Sequence, residues 1–142
     1  MGFKKEHWII LLSIIALILT GIIHYEREIA LNEIQGASLC TGGCDAVQTS
    51  DYALTFGIPN TIIGFVGFTL LIIIELIQLK KGKNKKLELI TEIMITIALL
   101  MSLRWLYLQK FVIQQWCIYC IFVDLITIIL SIIILKKHFV KK

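Results

Sequence analysis

Charged residues and proline are scarce in this chain. Of its 142 residues, 17% are charged and one is proline, whereas 58% are hydrophobic. The mean hydropathy is +0.86. A soluble domain of this length could not bury so much apolar surface, whereas a lipid bilayer can surround it. The composition therefore excludes a soluble globular domain and indicates a membrane protein.

Two signals of other classes are also missing. The basic residues form short clusters between apolar runs, and no basic stripe with interleaved aromatic residues is present, which argues against nucleic-acid binding. The first apolar stretch, residues 8–23, follows a basic start as in a signal peptide, but no A-x-A-like cleavage site comes after it. We therefore predict that this stretch is an uncleaved first span.

Four apolar stretches are each close to the ~20 residues that a helix needs to cross ~30 Å of hydrocarbon. They cover residues 8–23, 58–79, 89–108 and 111–135. Unpaired backbone groups are costly in lipid, so these spans are predicted to be helices. Because they show no amphipathic face, a soluble bundle is excluded. The sequence predicts an all-α membrane protein: one domain over residues 1–142, a four-transmembrane-helix bundle with an outward loop at 24–57.

Lysine and arginine are concentrated on one side of these spans. All but three of the 14 lie in the N-terminal tail, in the connection at residues 80–86 or in the C-terminal tail. The exceptions are Arg27, Arg104 and Lys110. The positive-inside rule then places both termini in the cytoplasm and the connections at 24–57 and 110–115 outside.

The four cysteines all fall on the predicted outer side. Cys40 and Cys44 lie in the long connection, and Cys117 and Cys120 open the fourth span. The outer side of a bacterial membrane is oxidising, so structural disulfides are one interpretation. However, a C-x-x-C bridge within one helical turn closes a very short loop and stabilises little.

Two other interpretations remain for the cysteines. A four-cysteine zinc site would use C-x-x-C as a half-site, but Cys117 and Cys120 lie among apolar residues without polar support. Reversible disulfide exchange suits the pairs better, because a thiol at a helix N-terminus ionises more easily. Two pairs in series would form a redox relay, and the electron acceptor available in lipid is a quinone.

An acidic residue lies inside the fourth span. Cys117, Cys120 and Asp124 are spaced so that they share one helical face. An ionisable residue within a span is costly and is taken as a functional residue by default. Arg104, on the preceding helix, is predicted at similar depth. The two residues form either a structural ion pair or part of a site that handles quinone or protons.

Three segments carry a family resemblance. They are residues 44–53 (CDAVQTSDYA), 57–64 (GIPNTIIG) and 116–120 (WCIYC). With the order of the helices, they resemble the vitamin K epoxide reductase family, specifically its bacterial and archaeal members, over nearly the whole chain. The resemblance implies a four-helix bundle around a quinone (menaquinone or ubiquinone) in the inner membrane of a prokaryote.

The resemblance also implies roles for the cysteines. Cys120 would react with the quinone and Cys117 would be its partner. Cys44 would exchange with Cys117, and Cys40 would take electrons from an extracytoplasmic thioredoxin-like dithiol oxidase. No thioredoxin-like domain follows the fourth span, so this partner is expected to be a separate polypeptide.

Three more residues are assigned to quinone binding through the resemblance. Ser50 would hold the loop over the site, and Asn60 would hydrogen-bond a quinone carbonyl, although a helix N-cap is an equally simple role for it. Asp124 stands where the animal vitamin K enzymes carry a quinone-contacting tyrosine. This difference favours a role in disulfide formation over vitamin K epoxide reduction.

The leading hypothesis is therefore a thiol:quinone oxidoreductase that re-oxidises a secreted thioredoxin-like protein. The disulfide-bond protein B family runs the same reaction, but both of its cysteine pairs are in outward loops, whereas Cys117 and Cys120 here open a helix. A membrane subunit with structural disulfides and a small metal-binding membrane protein are the alternatives from other functional classes.

Overall fold

The fold was analysed in a computed structural model, which describes residues 5–32, 39–40 and 42–140. Its elements in chain order are α1 (Lys5–Leu31), α2 (Cys44–Thr49), a 3-10 turn (Asp51–Ala53), β1 (Leu54–Thr55), β2 (Ile58–Pro59), α3 (Asn60–Lys81), α4 (Lys85–Tyr107), a π-helical turn (Leu108–Ile113) and α5 (Ile118–Val140). Among the described residues, four helices are long and apolar enough to cross a membrane. The prediction of an all-α four-helix membrane bundle is confirmed, and the protein is a multi-pass membrane protein.

The helices extend beyond several predicted boundaries. The helix α1 continues past the apolar stretch at 8–23 as far as Leu31. Residues 111–113, which hydropathy assigned to the fourth span, instead belong to the π-helical turn that continues α4. The chain then breaks at Gln114, whose φ of 55° is left-handed, and α5 begins at Ile118. Hydropathy places this break too early because Phe111, Val112 and Ile113 are as apolar as the helix that follows.

Local residues account for the short connection between α3 and α4. The helix α3 ends at Lys81, and Gly82 follows with a φ of 86°, which glycine adopts without steric cost. At the start of α4 the side chain of Asn84 accepts a hydrogen bond from Lys86 N–H. Across the same end of the bundle, Lys83 Nζ lies 2.9 Å from Glu6 Oε1 of α1. This hydrogen bond raises the pKa of the Lys83 ammonium group.

The core lies where α1, α3, α4 and α5 meet. It is a cluster of buried apolar side chains: Ile9, Ala16, Phe68, Leu71, Ile95, Leu130 and Ile134. Buried hydroxyl groups of α1 and α5 donate to the carbonyl four residues back in their own helix, as Ser13 and Ser131 do. Large apolar residues such as Ile18 and Ile132 point outward, 59% and 61% exposed, as expected for lipid-facing positions.

The segment between α1 and α3 covers one end of the bundle, and we call residues 39–40 and 42–59 the cap. Within the cap, β1 and β2 form a small antiparallel hairpin. Its two central residues, Phe56 and Gly57, both have positive φ, as in a type I′ turn. The hairpin leads directly into α3, so this end of the cap is fixed to the bundle.

Candidate redox site

The structure brings the four cysteines together beneath the cap. Cys44, Cys117 and Cys120 are buried in one apolar cluster with Ile23 and Val47, and Cys40 packs against it while partly exposed. Cys40 and Cys44 form a disulfide with their Cα atoms 6.2 Å apart. Cys117 and Cys120 are free thiols. An oxidised pair and a reduced pair therefore meet in one buried place.

The residue Cys117 occupies the N-cap position of α5. Its carbonyl accepts the hydrogen bond from Ile121 N–H at 3.0 Å, and its Sγ accepts from Cys120 N–H at 3.4 Å. Cys117 precedes the spanning part of α5, and the hydrogen bond from the Cys120 side chain lowers the pKa of its thiol despite burial. A helix N-terminus also favours a thiolate, so Cys117 is suited to exchange.

Two buried glutamines hold the thiol pair, and neither was predicted. Gln48 Nε2 donates to Cys120 Sγ at 3.0 Å. Gln109 is fully buried, and its Oε1 accepts the N–H of Cys117 at 2.9 Å. Gln48 is one helical turn after Cys44, which is a signal that sequence reasoning missed. Gln109 gave no such signal, because its position depends on the π-helical turn.

A close approach of backbone brings the start of α2 to the second pair. A Cβ atom on Gly43 would lie 2.6 Å from Gln115 Cβ and 3.1 Å from Trp116 N. Such distances are too short for any residue larger than glycine without a shift of the backbone. Gly43 therefore lets Cys44, the next residue, reach the cysteine cluster.

The residue before Cys40 is fixed from two helices. Leu39 N–H donates to Glu26 Oε1 of α1 at 2.7 Å, and the Tyr119 hydroxyl of α5 donates to Leu39 O at 3.3 Å. Glu26 is 2% exposed although it is a carboxylate. We call this arrangement of Glu26, Leu39 and Tyr119 the Leu39 clamp.

A cavity of about 340 Å³ opens between the helices below the thiol pair. Apolar side chains from α1, α3, α4 and α5 make most of its wall. The polar residues that line it are Thr20, Gln48, Asn60, Thr61, Ser102, Arg104, Cys120, Asp124 and Thr127. Its wall includes Ile63 and Ile97, which are 41% and 57% exposed, so the cavity reaches the lipid-facing surface between α3 and α4. The size and the few polar groups suit a small, mostly apolar ligand.

Asp124 lies in this cavity without an ion pair. It is 4% exposed, and its Oδ2 has no hydrogen-bond partner. The Ser102 hydroxyl lies beside the carboxyl group. Arg104 also lines the cavity but forms no ion pair with Asp124, both residues being described, so the interpretation as a structural ion pair is wrong. A quinone carbonyl accepts hydrogen bonds, so it would pair with this oxygen when the carboxyl group is protonated and donates its O–H. This unpartnered position and the apolar walls fit a quinone.

The other two predicted quinone residues hold the cap. Asn60 lines the cavity, but its Oδ1 accepts from the Thr55 hydroxyl and its Nδ2 donates to Tyr52 O at 2.9 Å. It is not the N-cap of α3, because Pro59 takes that position. Ser50 Oγ donates to Val47 O at 2.8 Å at the end of α2, and Ser50 is not a lining residue. The contacts of Asn60 and Ser50 with a quinone stay predictions.

Four spanning helices that carry a disulfide beside a buried dithiol define a membrane thiol oxidoreductase. A comparison with protein-family models gives the same class: the model described as the vitamin K epoxide reductase family matches residues 7–135. The chain belongs to the vitamin K epoxide reductase family, whose members are redox enzymes that in general use quinones. A search of curated proteins found no match.

Proposed function

We propose that the protein is a quinone-dependent thiol oxidoreductase that re-oxidises an extracytoplasmic thioredoxin-like dithiol oxidase and so drives disulfide formation. The observation that carries this proposal is the buried dithiol of Cys117 and Cys120, which lies between the Cys40–Cys44 disulfide and a cavity lined by Cys120. Cys40 is the more exposed member of the loop pair, which suits a cysteine that meets a soluble partner.

The first exchange takes electrons from the partner. A partner thiolate attacks Cys40 Sγ, the Cys40–Cys44 bond breaks, and Cys44 leaves as a thiolate. The second partner thiolate then closes the partner's disulfide and releases Cys40. Two electrons have passed to the loop pair, which is now a dithiol.

The second exchange passes the electrons inward. Cys44 attacks Cys117 Sγ of a Cys117–Cys120 disulfide, and Cys120 leaves as a thiolate. Cys40 then attacks Cys44 Sγ, which restores the loop disulfide and releases Cys117. The resulting oxidation pattern, a loop disulfide and an inner dithiol, is the one described above.

The cavity is the proposed binding site of the electron acceptor. When the Cys117–Cys120 disulfide forms again, the two electrons and two protons that it releases are taken up by a quinone, which becomes a quinol. The protonated carboxyl group of Asp124 and the second side-chain N–H of Asn60 would donate hydrogen bonds to the quinone carbonyls. The apolar walls exclude water from the thiol pair.

We further propose that the cap faces the outer side of a prokaryotic cytoplasmic membrane and that both termini are cytoplasmic. The positively charged connection between α3 and α4 supports this orientation. An oxidising outer compartment also suits a loop disulfide that must be restored after each cycle.

The Cys120→Ser variant tests the proposed order. A serine hydroxyl cannot form the disulfide, so we expect at least a hundredfold loss of quinone reduction, while the partner dithiol still reduces the Cys40–Cys44 bond. The measurements are the absorbance of a soluble quinone analogue and mass spectrometry of the trapped thiols of purified protein. Full quinone reduction by Cys120→Ser would contradict the proposal. As a control, Thr69→Ala changes a helix hydroxyl that bonds only its own backbone and should be fully active.

Thiol trapping in cells separates this enzyme from a subunit with structural disulfides. When the quinone pool is reduced, the enzyme should accumulate reduced Cys40 and Cys44. Structural disulfides would remain oxidised whatever the state of the pool.

A further inference from the structure

The buried Gln48 makes direct contact with the sulfur that the proposed relay uses last. Its side chain is 3% exposed, and Nε2 lies 3.0 Å from Cys120 Sγ. An amide NH₂ group is a donor, so the sulfur accepts this hydrogen bond. A thiolate is a stronger acceptor than a thiol, because hydrogen bonds to ionised groups are about twice as strong as neutral ones. The contact therefore favours the charged form of Cys120.

The position of Gln48 in the chain ties this contact to the loop pair. The helix α2 has six residues, begins at Cys44 and includes Gln48 one turn later. The two residues face the same side and are both buried against the second cysteine pair. Any displacement of α2 would therefore move Cys44 and Gln48 together.

We propose that Gln48 is a catalytic residue that stabilises the Cys120 thiolate only while α2 is docked, so that docking of the loop pair switches on the inner pair. The inference rests on the proposed function. In the second exchange Cys120 is released as a thiolate by the attack of Cys44, at a moment when α2 must be docked. Gln48 then holds that charge until the electrons leave Cys120, and the charge is not held while α2 is displaced toward the partner.

The ionisation of Cys120 can be measured without quinone or partner. In the Cys117→Ser background, with the loop disulfide intact, Cys120 is the one free thiol of the four cysteines. The rate of its alkylation by iodoacetamide is followed by mass spectrometry at pH 7 and pH 10. The rate at pH 7 divided by the rate at pH 10 reports how far the thiol is ionised at pH 7, because a change in access alters both rates alike. A hydrogen bond to a charged group corresponds to roughly one pKa unit or more. We therefore expect Gln48→Leu to lower the ratio about tenfold.

Two further variants sharpen the test. Thr49→Ala changes an exposed residue of the same helix, whose hydroxyl bonds only Asp45 O, and should leave the ratio unchanged. Gly43→Ala would force the start of α2 away from Gln115 and Trp116, so it should lower the ratio severalfold with Gln48 still present. Because both changes remove the same contact, Gly43→Ala with Gln48→Leu should be no worse than Gln48→Leu alone.

The outcomes separate this inference from the proposed function. A ratio that changes less than twofold in Gln48→Leu, while the unmodified protein reduces quinone in a separate assay, overturns the role of Gln48 and leaves the proposed function standing. Effects of Gly43→Ala and Gln48→Leu that multiply would overturn the link to docking. A tenfold fall in the ratio supports the role of Gln48 even if no quinone reduction is detected, and in that case only the proposed function fails.

Discussion

A carboxyl group with an unpartnered oxygen is costly in a core of apolar helices. Asp124 Oδ2 is such an atom, and it lines the cavity below Cys120. Leaving a buried polar group unsatisfied costs about 1–3 kcal/mol. A quinone carbonyl that accepts from the protonated carboxyl group would recover part of this free energy on binding, which is the physical reason for proposing Asp124 as a quinone contact.

Substitution of Asp124 tests this contact at the scale of one residue. We expect Asp124→Leu to weaken binding of a quinone analogue about tenfold, the value of one hydrogen bond of roughly 1.4 kcal/mol. Asp124→Asn keeps polar atoms of the same shape and should lose less. The measurement is a binding titration of the purified protein. Thr127→Val is the matched control, because this lining hydroxyl already bonds Val123 O and should leave affinity unchanged.

Residue types and spacing predicted where the cysteine pairs lie, but they did not predict the side chains that contact them. The placement of both cysteine pairs near one end of the spans and the buried Asp124 follow from hydropathy and spacing alone. The positions of the two glutamines do not, because a polar side chain in or next to a connection between spans is ordinarily solvated. Gln109 is buried only because the π-helical turn directs it at Cys117 N–H, and this geometry leaves no trace in the sequence.

At the scale of elements, the extension of α1 past the apolar stretch positions the cap. The last turns of α1 carry Glu26, whose carboxylate reaches Leu39 N–H and so fixes the chain one residue before Cys40. Hydropathy ended the first span at residue 23, since charged residues follow there. Of those charged residues Glu26 belongs to the Leu39 clamp, and the helix continues through Arg27 and Glu28 as far as Leu31.

Loss of the Leu39 clamp should loosen the cap next to Cys40. In Glu26→Leu the Leu39 N–H loses its acceptor, so we expect its hydrogen exchange to accelerate about tenfold or more. Exchange is measured by mass spectrometry on peptides that contain Leu39. Glu28→Leu removes a nearby exposed carboxylate that pairs with Arg27, and it should not alter Leu39. Equal exchange in Glu26→Leu and the unmodified protein would show that the clamp does not restrain the cap.

At the scale of the whole molecule, the bundle was the most predictable feature. Four helices follow from the four runs of apolar residues, because a single segment in a bilayer can satisfy its backbone hydrogen bonds only as a helix. The packing of the cap against the helices was beyond prediction. It depends on long-range contacts such as those of Gly43 with Gln115, which join parts of the chain that no local pattern relates.

The proposed orientation can be tested with reporter fusions. A reporter that is active only in the cytoplasm should be active when fused after residue 142 and inactive when inserted at the hairpin tip, Gly57. The expectation follows from the lysines between α3 and α4 and at the two ends of the chain. Activity of the same reporter at Gly57 would contradict the proposed orientation and show that the cap lies on the cytoplasmic side.

The exposure of the cavity wall at Ile63 and Ile97 also has a consequence for how the two proposed substrates reach the site. Under the proposed thiol–quinone reaction, the dithiol would arrive from water at the cap, whereas the quinone would arrive sideways from the hydrocarbon. The two substrates never share a solvent and cannot compete for one entrance. Turnover at saturating partner would then depend on quinone per area of membrane. Diluting the quinone with added lipid should slow the enzyme even at a constant total amount in the sample.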